Sequence, residues 1–185
     1  SVNGGSYLYN DTYTKLSKNR IIFFNEIVTK QSAADLSALL LYYNSLSETE
    51  PIYIYIHSDG GDAAGLANIY DIMQFVKAPI YTVCIGKCYS AAAVMLASGT
   101  KGGRYAFKHS KIMIHGIQAG FPVPGHDITN SKKYLDFLDI INNSVMSMLA
   151  KHTGHPIEKI KKDCLRDIYL TANQALEYGL IDIVL

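Results

Sequence analysis

The chain has 185 residues, 49% of them hydrophobic and 18% charged, with a formal net charge of +1. That length and composition predict one globular domain with a sizeable core and exclude a disordered chain. The near-neutral balance without a basic stripe argues against a nucleic-acid partner, and no apolar run approaches the roughly 18–20 residues of a membrane span.

In chain order, residues 1–16 are polar, glycine-containing and tyrosine-rich, and are expected to form a flexible arm. RIIFF (20–24) reads as a short buried strand. SAADLSALLLYYNSL (32–46) has apolar residues at helical spacing, with Ser32 as the expected N-cap. PIYIYIHSDGG (51–61) alternates strictly, so Ile52, Ile54 and Ile56 face one side and Tyr53 and Tyr55 the other. DAAGLANIYDIMQFV (62–76) is an amphipathic helix. IYTVCIG (80–86) is a buried strand and SAAAVMLAS (90–98) a buried helix of small residues.

KIMIHG (111–116) is a further strand. AGFPVPGHD (119–127) is neither helix nor central strand, because Pro122 and Pro124 interrupt it. A long helix is expected over 127–151 and a shorter one over 156–165. TANQALEYG (171–179) carries a capping box, Thr171 with Gln174, and a glycine stop at Gly179. LIDIVL closes the chain as a strand. Strands alternating with helices predict a single α/β domain with parallel pairing.

In such a fold, chemistry concentrates where strands end and helices begin. The SDGG turn after the Tyr/Ile strand offers close backbone approach and free amide donors. Ser90 stands where a strand passes into a helix, either as an ordinary N-cap or as a nucleophile beside a helix N-terminus. His115 ends a strand, either as a structural histidine or as a base. Both Asp163 and Asp167 are available as the orienting acid, and composition does not choose between them. The three cysteines, Cys84, Cys88 and Cys164, are an odd number, two of them in strongly apolar surroundings, which favours a reducing compartment. Without a second cysteine pair, Cys84 and Cys88 make a poor metal site.

Several stretches occur together and in order: KLSKNRIIFF, PIYIYIHSDGG, IYDIMQFVKAPIYTVCIGKCYSAAA, LASGTKGGRYAF, SKIMIH, LAKHTGHPIEKIKKD and RDIYLTANQALEYGLID. In these the chain resembles the Clp protease proteolytic subunit family, ClpP, from about Lys15 to Leu185. The resemblance implies a crotonase-like fold with a protruding handle helix, and a serine peptidase that hydrolyses peptide bonds without metal or cofactor. It puts the nucleophile on Ser90, the base on His115, the acid on Asp167 and the oxyanion donors on the backbone N–H groups of Gly61 and Ala91. Substrate would lie extended along Asp62 and Ala63 and along Gln118, Ala119 and Gly120. It further implies heptameric rings, two of them stacked, built from one chain or shared with a paralogue. A hexameric AAA+ ATPase would feed unfolded chains and dock on a face carrying Tyr53 and Tyr55. The compartment would be the bacterial cytoplasm or an organelle matrix or stroma.

The chain departs from the family pattern in places. Asp59 replaces the proline of SPGG, and Asp62 replaces an apolar β-branched residue, which predicts a preference for basic over acidic substrates. Ala91-Ala92 stands for Met-Gly after the nucleophile, and Gly116-Ile117 for Gln-Pro after the base. The handle is about three residues longer, slightly under one helical turn. Leu165 stands where many members have an acid before the arginine, which bears on ring stacking. Three rival readings stand beside the peptidase: a non-catalytic or weakly active ring subunit acting beside an active paralogue, a crotonase-type acyl-CoA enzyme using Asp59 and Asp62, and a phage-type capsid-maturation protease with similar chemistry.

Overall fold

The computed structural model describes residues 12–118 and 127–185. A short helix α1 (12–18) leads into β1 (Ile21–Phe24), α2 (Lys30–Leu46), β2 (Ile52–Ser58), α3 (Ala63–Phe75), β3 (Ile80–Tyr89) and α4 (Ala91–Ala97). Then come β4 (Arg104–Ala106), β5 (Lys111–Ile114), α5 (Ile128–Thr153), α6 (Ile157–Asp163), β6 (Ile168–Thr171), α7 (Ala172–Tyr178) and β7 (Ile183–Val184). Strands β1–β2–β3–β4–β7 form a parallel sheet in that order. β5 runs parallel to the end of β3, and β6 pairs with β5 in the opposite sense. The single α/β domain with a parallel-dominated sheet agrees with the sequence reading, and β6 is the exception to parallel pairing.

Two other expectations are corrected. Residues 12–16 are not an arm: residues 12–18 are helical, held where the Tyr13 ring meets Phe23 edge-on at 5.7 Å, while residues 1–11 lie outside the described part. Ser32 does not cap α2. The helix starts two residues earlier, with Thr29 as N-cap, and Ser32 returns the bond from the third helical position. Both hydroxyls belong to one capping box, so sequence spacing alone could not say which came first.

The tyrosine strand behaves as its alternation demands. Ile52, Ile54 and Ile56 are wholly buried, while Tyr53 and Tyr55 are half-buried on the other face. There Tyr55 stacks on Phe23 at 5.2 Å and Tyr53 meets Tyr81 edge-on at 5.4 Å. Helix α4 is buried along its whole length, which its alanines permit by letting neighbouring strands and helices α3 and α5 pack close.

Strand β3 divides its partners. Thr82–Cys84 pair with β4, and Lys87–Tyr89 pair with β5. Between them the register against β2 jumps, and Gly86 takes φ 72. A Cβ at Gly86 would lie 2.7 Å from the His57 ring, so the kink requires glycine. His57 Nδ1 donates to the Ile85 carbonyl at 2.7 Å and closes the bulge.

Helix α5 spans 26 residues, about 39 Å at 1.5 Å per residue. Only Val145, Met146 and Leu149 are buried, all in its second half. Ile128, Phe137 and Ile140 are exposed, so the first part projects as the expected handle.

A buried arginine ties the C-terminal end of the chain to the sheet. Arg104 bonds both oxygens of Asp182, at 2.8 and 2.6 Å, and the carbonyls of Ala97, His152 and Gly179. The side chains are 4% and 15% exposed. Burial works to raise the Asp182 pKa, but the Arg104 hydrogen bonds and charge bring it below the ordinary value. Removing one member of such a pair strands the other in the interior. Asp182→Ala is therefore expected to lower stability by about 3–5 kcal/mol, read as a fall in the urea midpoint.

Nearby, burial and the charges of Lys151 and Arg104 push the His152 pKa down to about 4. The folded state thus binds a proton less readily than the unfolded chain. Stability held at neutral pH should fall as pH drops from 6.5 towards 4, and His152→Gln should flatten that part of a Tm-against-pH curve.

Candidate active site

Ser90 occupies the single residue between β3 and α4. Its backbone lies at φ 55, ψ −123, one of only two non-glycine residues with positive φ among the described residues. That conformation costs on the order of 1–3 kcal/mol and persists only where the surroundings enforce it. The enforcement is visible. Ser90 N–H donates to the Met113 carbonyl at 2.8 Å, and Ser90 C=O accepts from Ala93 N–H at 2.9 Å. The side chain makes no capping bond to α4. Its Oγ instead lies 2.7 Å from His115 Nε2. The ordinary N-cap reading of Ser90 is thereby replaced.

His115 follows β5 directly, and Asp167 immediately precedes β6. The antiparallel register pairs Lys111 with Thr171 and Ile114 with Ile168. One step further, positions 115 and 167 face each other. This cross-strand relation selects Asp167 over Asp163, which composition could not do. Asp163 is engaged elsewhere, by Lys159 and by the Tyr178 hydroxyl at 2.7 Å, and the Lys159 hydrogen bond holds its pKa below the ordinary value.

Asp167 Oδ1 stands 3.3 Å from His115 Nδ1. The angle does not make a hydrogen bond, so buried Nδ1 has no hydrogen-bond partner among the described residues. The tautomer that carries its proton on Nδ1, on the side of the carboxylate, leaves Nε2 as the acceptor for the serine hydroxyl. The serine leg is tight and the acid leg is slack. Catalytic contacts in free enzymes are often long and tighten only with substrate bound.

The SDGG turn lies against this serine. Gly60 takes φ 89, and a Cβ there would come 2.8 Å from both Ala91 N and Ser90 Cβ. Gly61 takes φ 146, where a Cβ would collide with the Val28 carbonyl. Val28 holds the turn by donating to Gly60 C=O at 2.7 Å and accepting from Asp62 N–H at 2.8 Å. The N–H groups of Gly61 and Ala91 donate to no acceptor among the described residues. Two unspent amides flank the serine, a prerequisite for binding an oxyanion. The doubled glycine was the sequence signal for close approach, and both positions use it: Gly60 against Ser90 and Ala91, Gly61 against Val28.

Gly61, Ser90, Ala91 and His115 line a cavity of about 780 Å³, with Val94, Val145 and Leu149 forming apolar surface and Tyr134, Phe137 and Ile141 of α5 forming one side. Ala63 and Gln118 line it as expected, but Ala63 opens helix α3 and does not extend a strand. Asp62 N–H is already taken by Val28. Asp62 therefore presents its side chain to the cavity, not a free backbone donor. Ala119 and Gly120 lie outside the described residues.

Asp59, also on the cavity wall, binds Lys87 Nζ through both oxygens, at 2.6 and 2.7 Å. No spacing rule in the sequence pointed to this pair, since it spans the bulge of β3. Cys84 and Cys88 are buried free thiols, and burial raises the Cys88 pKa well above the usual thiol value. No group of metal-ligating residues occurs among the described residues.

A strained serine at a strand–helix junction, bonded to a histidine that a carboxylate faces, defines a serine hydrolase arrangement. The Clp protease family model matches residues 4–185, and the chain belongs to that family. It is a ClpP-type serine peptidase by family, with the mixed α/β fold described above.

The turn and the serine are mutually dependent, which a pair of glycine variants can expose. Gly60→Ala should abolish labelling of Ser90 by a fluorophosphonate probe, because the new methyl displaces Ala91 or the turn. Gly102→Ala, at φ 87 with open space around it, should cost only about 1 kcal/mol of stability and leave labelling intact.

Proposed function

We propose that this chain is the proteolytic subunit of a self-compartmentalised peptidase that hydrolyses unfolded polypeptides. Ser90 attacks the scissile carbonyl while His115 Nε2 takes its proton. The N–H groups of Gly61 and Ala91 receive the oxyanion. His115 returns the proton to the leaving amine, and water then releases the acyl group by the same route. Asp167 orients the imidazole. The observation that carries this reading is Ser90 itself: a backbone under strain, a hydroxyl that declines its helix and a 2.7 Å contact to the base.

The assembly is part of the proposal. The projecting half of α5 carries exposed Ile128, Phe137 and Ile140, a suitable surface for contacts between copies in stacked heptameric rings. The aromatic face around Tyr53 and Tyr55 suits docking of an AAA+ ATPase. Three unpaired cysteines fit a reducing compartment, the bacterial cytoplasm or an organelle matrix or stroma.

The substrate class follows from charge. Asp59 is neutralised by Lys87, whereas Asp62 uses one oxygen on Gly65 N–H at 2.7 Å and leaves the other without a partner among the described residues. No Lys or Arg is among the described residues lining the cavity. A peptide carrying a cation near the scissile bond is therefore favoured over an acidic one.

Casein and peptide cleavage should fall by about 10⁴-fold or more in Ser90→Ala, with the assembly mass unchanged. A wild-type protein that neither cleaves nor takes a fluorophosphonate label would instead support the non-catalytic ring subunit, a reading the slack Asp167 contact favours. In a peptide library, Lys-containing substrates should exceed Glu-containing ones by about five- to tenfold in kcat/KM, equivalent to about 1 kcal/mol. Asp62→Asn preserves the helix cap and should erase that ratio. Equal preferences in both proteins would remove the charge argument.

A further inference from the structure

The chain turns at Gly116–Ile117 directly after His115, and two separate elements grip that turn. Gly116 N–H donates to the Cys164 carbonyl at 2.9 Å. Cys164 closes α6 and begins the segment that delivers Asp167. Ile117 N–H donates to Asn142 Oδ1 at 3.0 Å, and Asn142 belongs to α5. A Cβ at Gly116 would lie 3.2 Å from the Cys164 carbonyl oxygen and 3.3 Å from Asn142 Oδ1. The turn is thus pressed between the projecting helix and the segment carrying the acid.

The slack member of the candidate triad is the contact this turn sets. His115 Nδ1 is 3.3 Å from Asp167 Oδ1 at an angle that misses hydrogen bonding, and Asp167 is 40% exposed. Gly116 follows the imidazole-bearing residue directly, so the placement of this turn bears on the orientation of the ring towards Asp167. Asn142, Asp167 and Gly116 also border one shared cavity of about 580 Å³ on the side of His115 that includes Leu165 and Arg166. That space allows the turn to move if its grip is lost.

We propose that Asn142 is a positioning residue: by accepting the Ile117 N–H, its carboxamide fixes the turn after His115 and so sets the imidazole against Asp167. The inference rests on the reading of His115 as the base. It makes the base answerable to α5, because a displacement of the helix at Asn142 is passed through one hydrogen bond to the residue two places after His115.

The test uses the full-length protein and peptide cleavage across pH. Asn142→Leu removes the acceptor, and Asn142→Asp keeps an oxygen in its place. In Asn142→Leu, kcat should fall by about ten- to a hundredfold with KM within about twofold, the scale of a small misplacement of a catalytic group. The acidic limb of its kcat/KM profile should move to lower pH, because the imidazolium loses the support of Asp167. Asn142→Asp should recover most of kcat and show no downward shift.

If Asn142→Leu fails to fold by circular dichroism, Asn142→Ala replaces it with the same expectations. Unchanged kcat and an unmoved acidic limb in the folded variant overturn the proposal, as does equal loss in Asn142→Asp. His115→Ala is run in parallel. Retained activity there sinks the assignment of the base, whereas its loss alongside an unaffected Asn142→Leu sinks only the positioning role.

Discussion

A backbone conformation unfavourable to any side-chain-bearing residue, φ 55 and ψ −123 at Ser90, is the constraint around which this molecule is arranged. Freed from it, the serine would cap α4 and its oxygen would be spent on the helix. Held in it, the oxygen is turned outward and the helix start keeps its amides. The restraint comes from three directions: the Met113 carbonyl on the neighbouring strand, the first turn of α4, and Gly60 pressed against Ser90 and Ala91. Each demands a small or hydrogen-bonding neighbour. The run of Ala91, Ala92 and Ala93, all buried, and the glycine pair at 60 and 61 follow from the same crowding.

The parts legible in sequence were those governed by local rules. The isoleucine–tyrosine alternation placed three side chains in the core, and the Thr171–Gln174 box and Gly179 stop fixed both ends of α7. Ser90 and His115 were visible as candidates because each sits at the end of an element. Asp167 stood level with Asp163, because the choice between them depends on β6 running against β5, and a four-residue strand carries too few alternations to announce itself. Residues 12–16 read as an arm because their order comes from contact with Phe23, a tertiary effect. Nothing local marks Arg104, and its five hydrogen bonds to four residues inside the fold make it structural.

Charge near the serine is distributed unevenly for physical reasons. Asp59 and Asp62 bracket the two glycines, yet one carboxylate is paired with Lys87 and the other caps α3. The first fastens the turn to β3 across the bulge. The second satisfies a helix amide while leaving an oxygen turned to solvent and cavity. Residues of one type, three positions apart, thus take different roles because their neighbours differ.

The division of β3 at Gly86 has a further meaning. Upstream of the kink lie the five-rung, isoleucine-rich ladder with β2 and three rungs with β4; downstream lie three rungs with β5, and beyond them the reversed strand β6. Ser90, His115 and Asp167 hang on this shorter limb, while the glycine turn follows β2. Insertions, drift in loop length or altered neighbours there can accumulate without loosening the aliphatic trunk. A lineage could therefore retune or silence its chemistry while keeping a sound subunit, so catalytic and purely architectural descendants can arise from one ancestral chain.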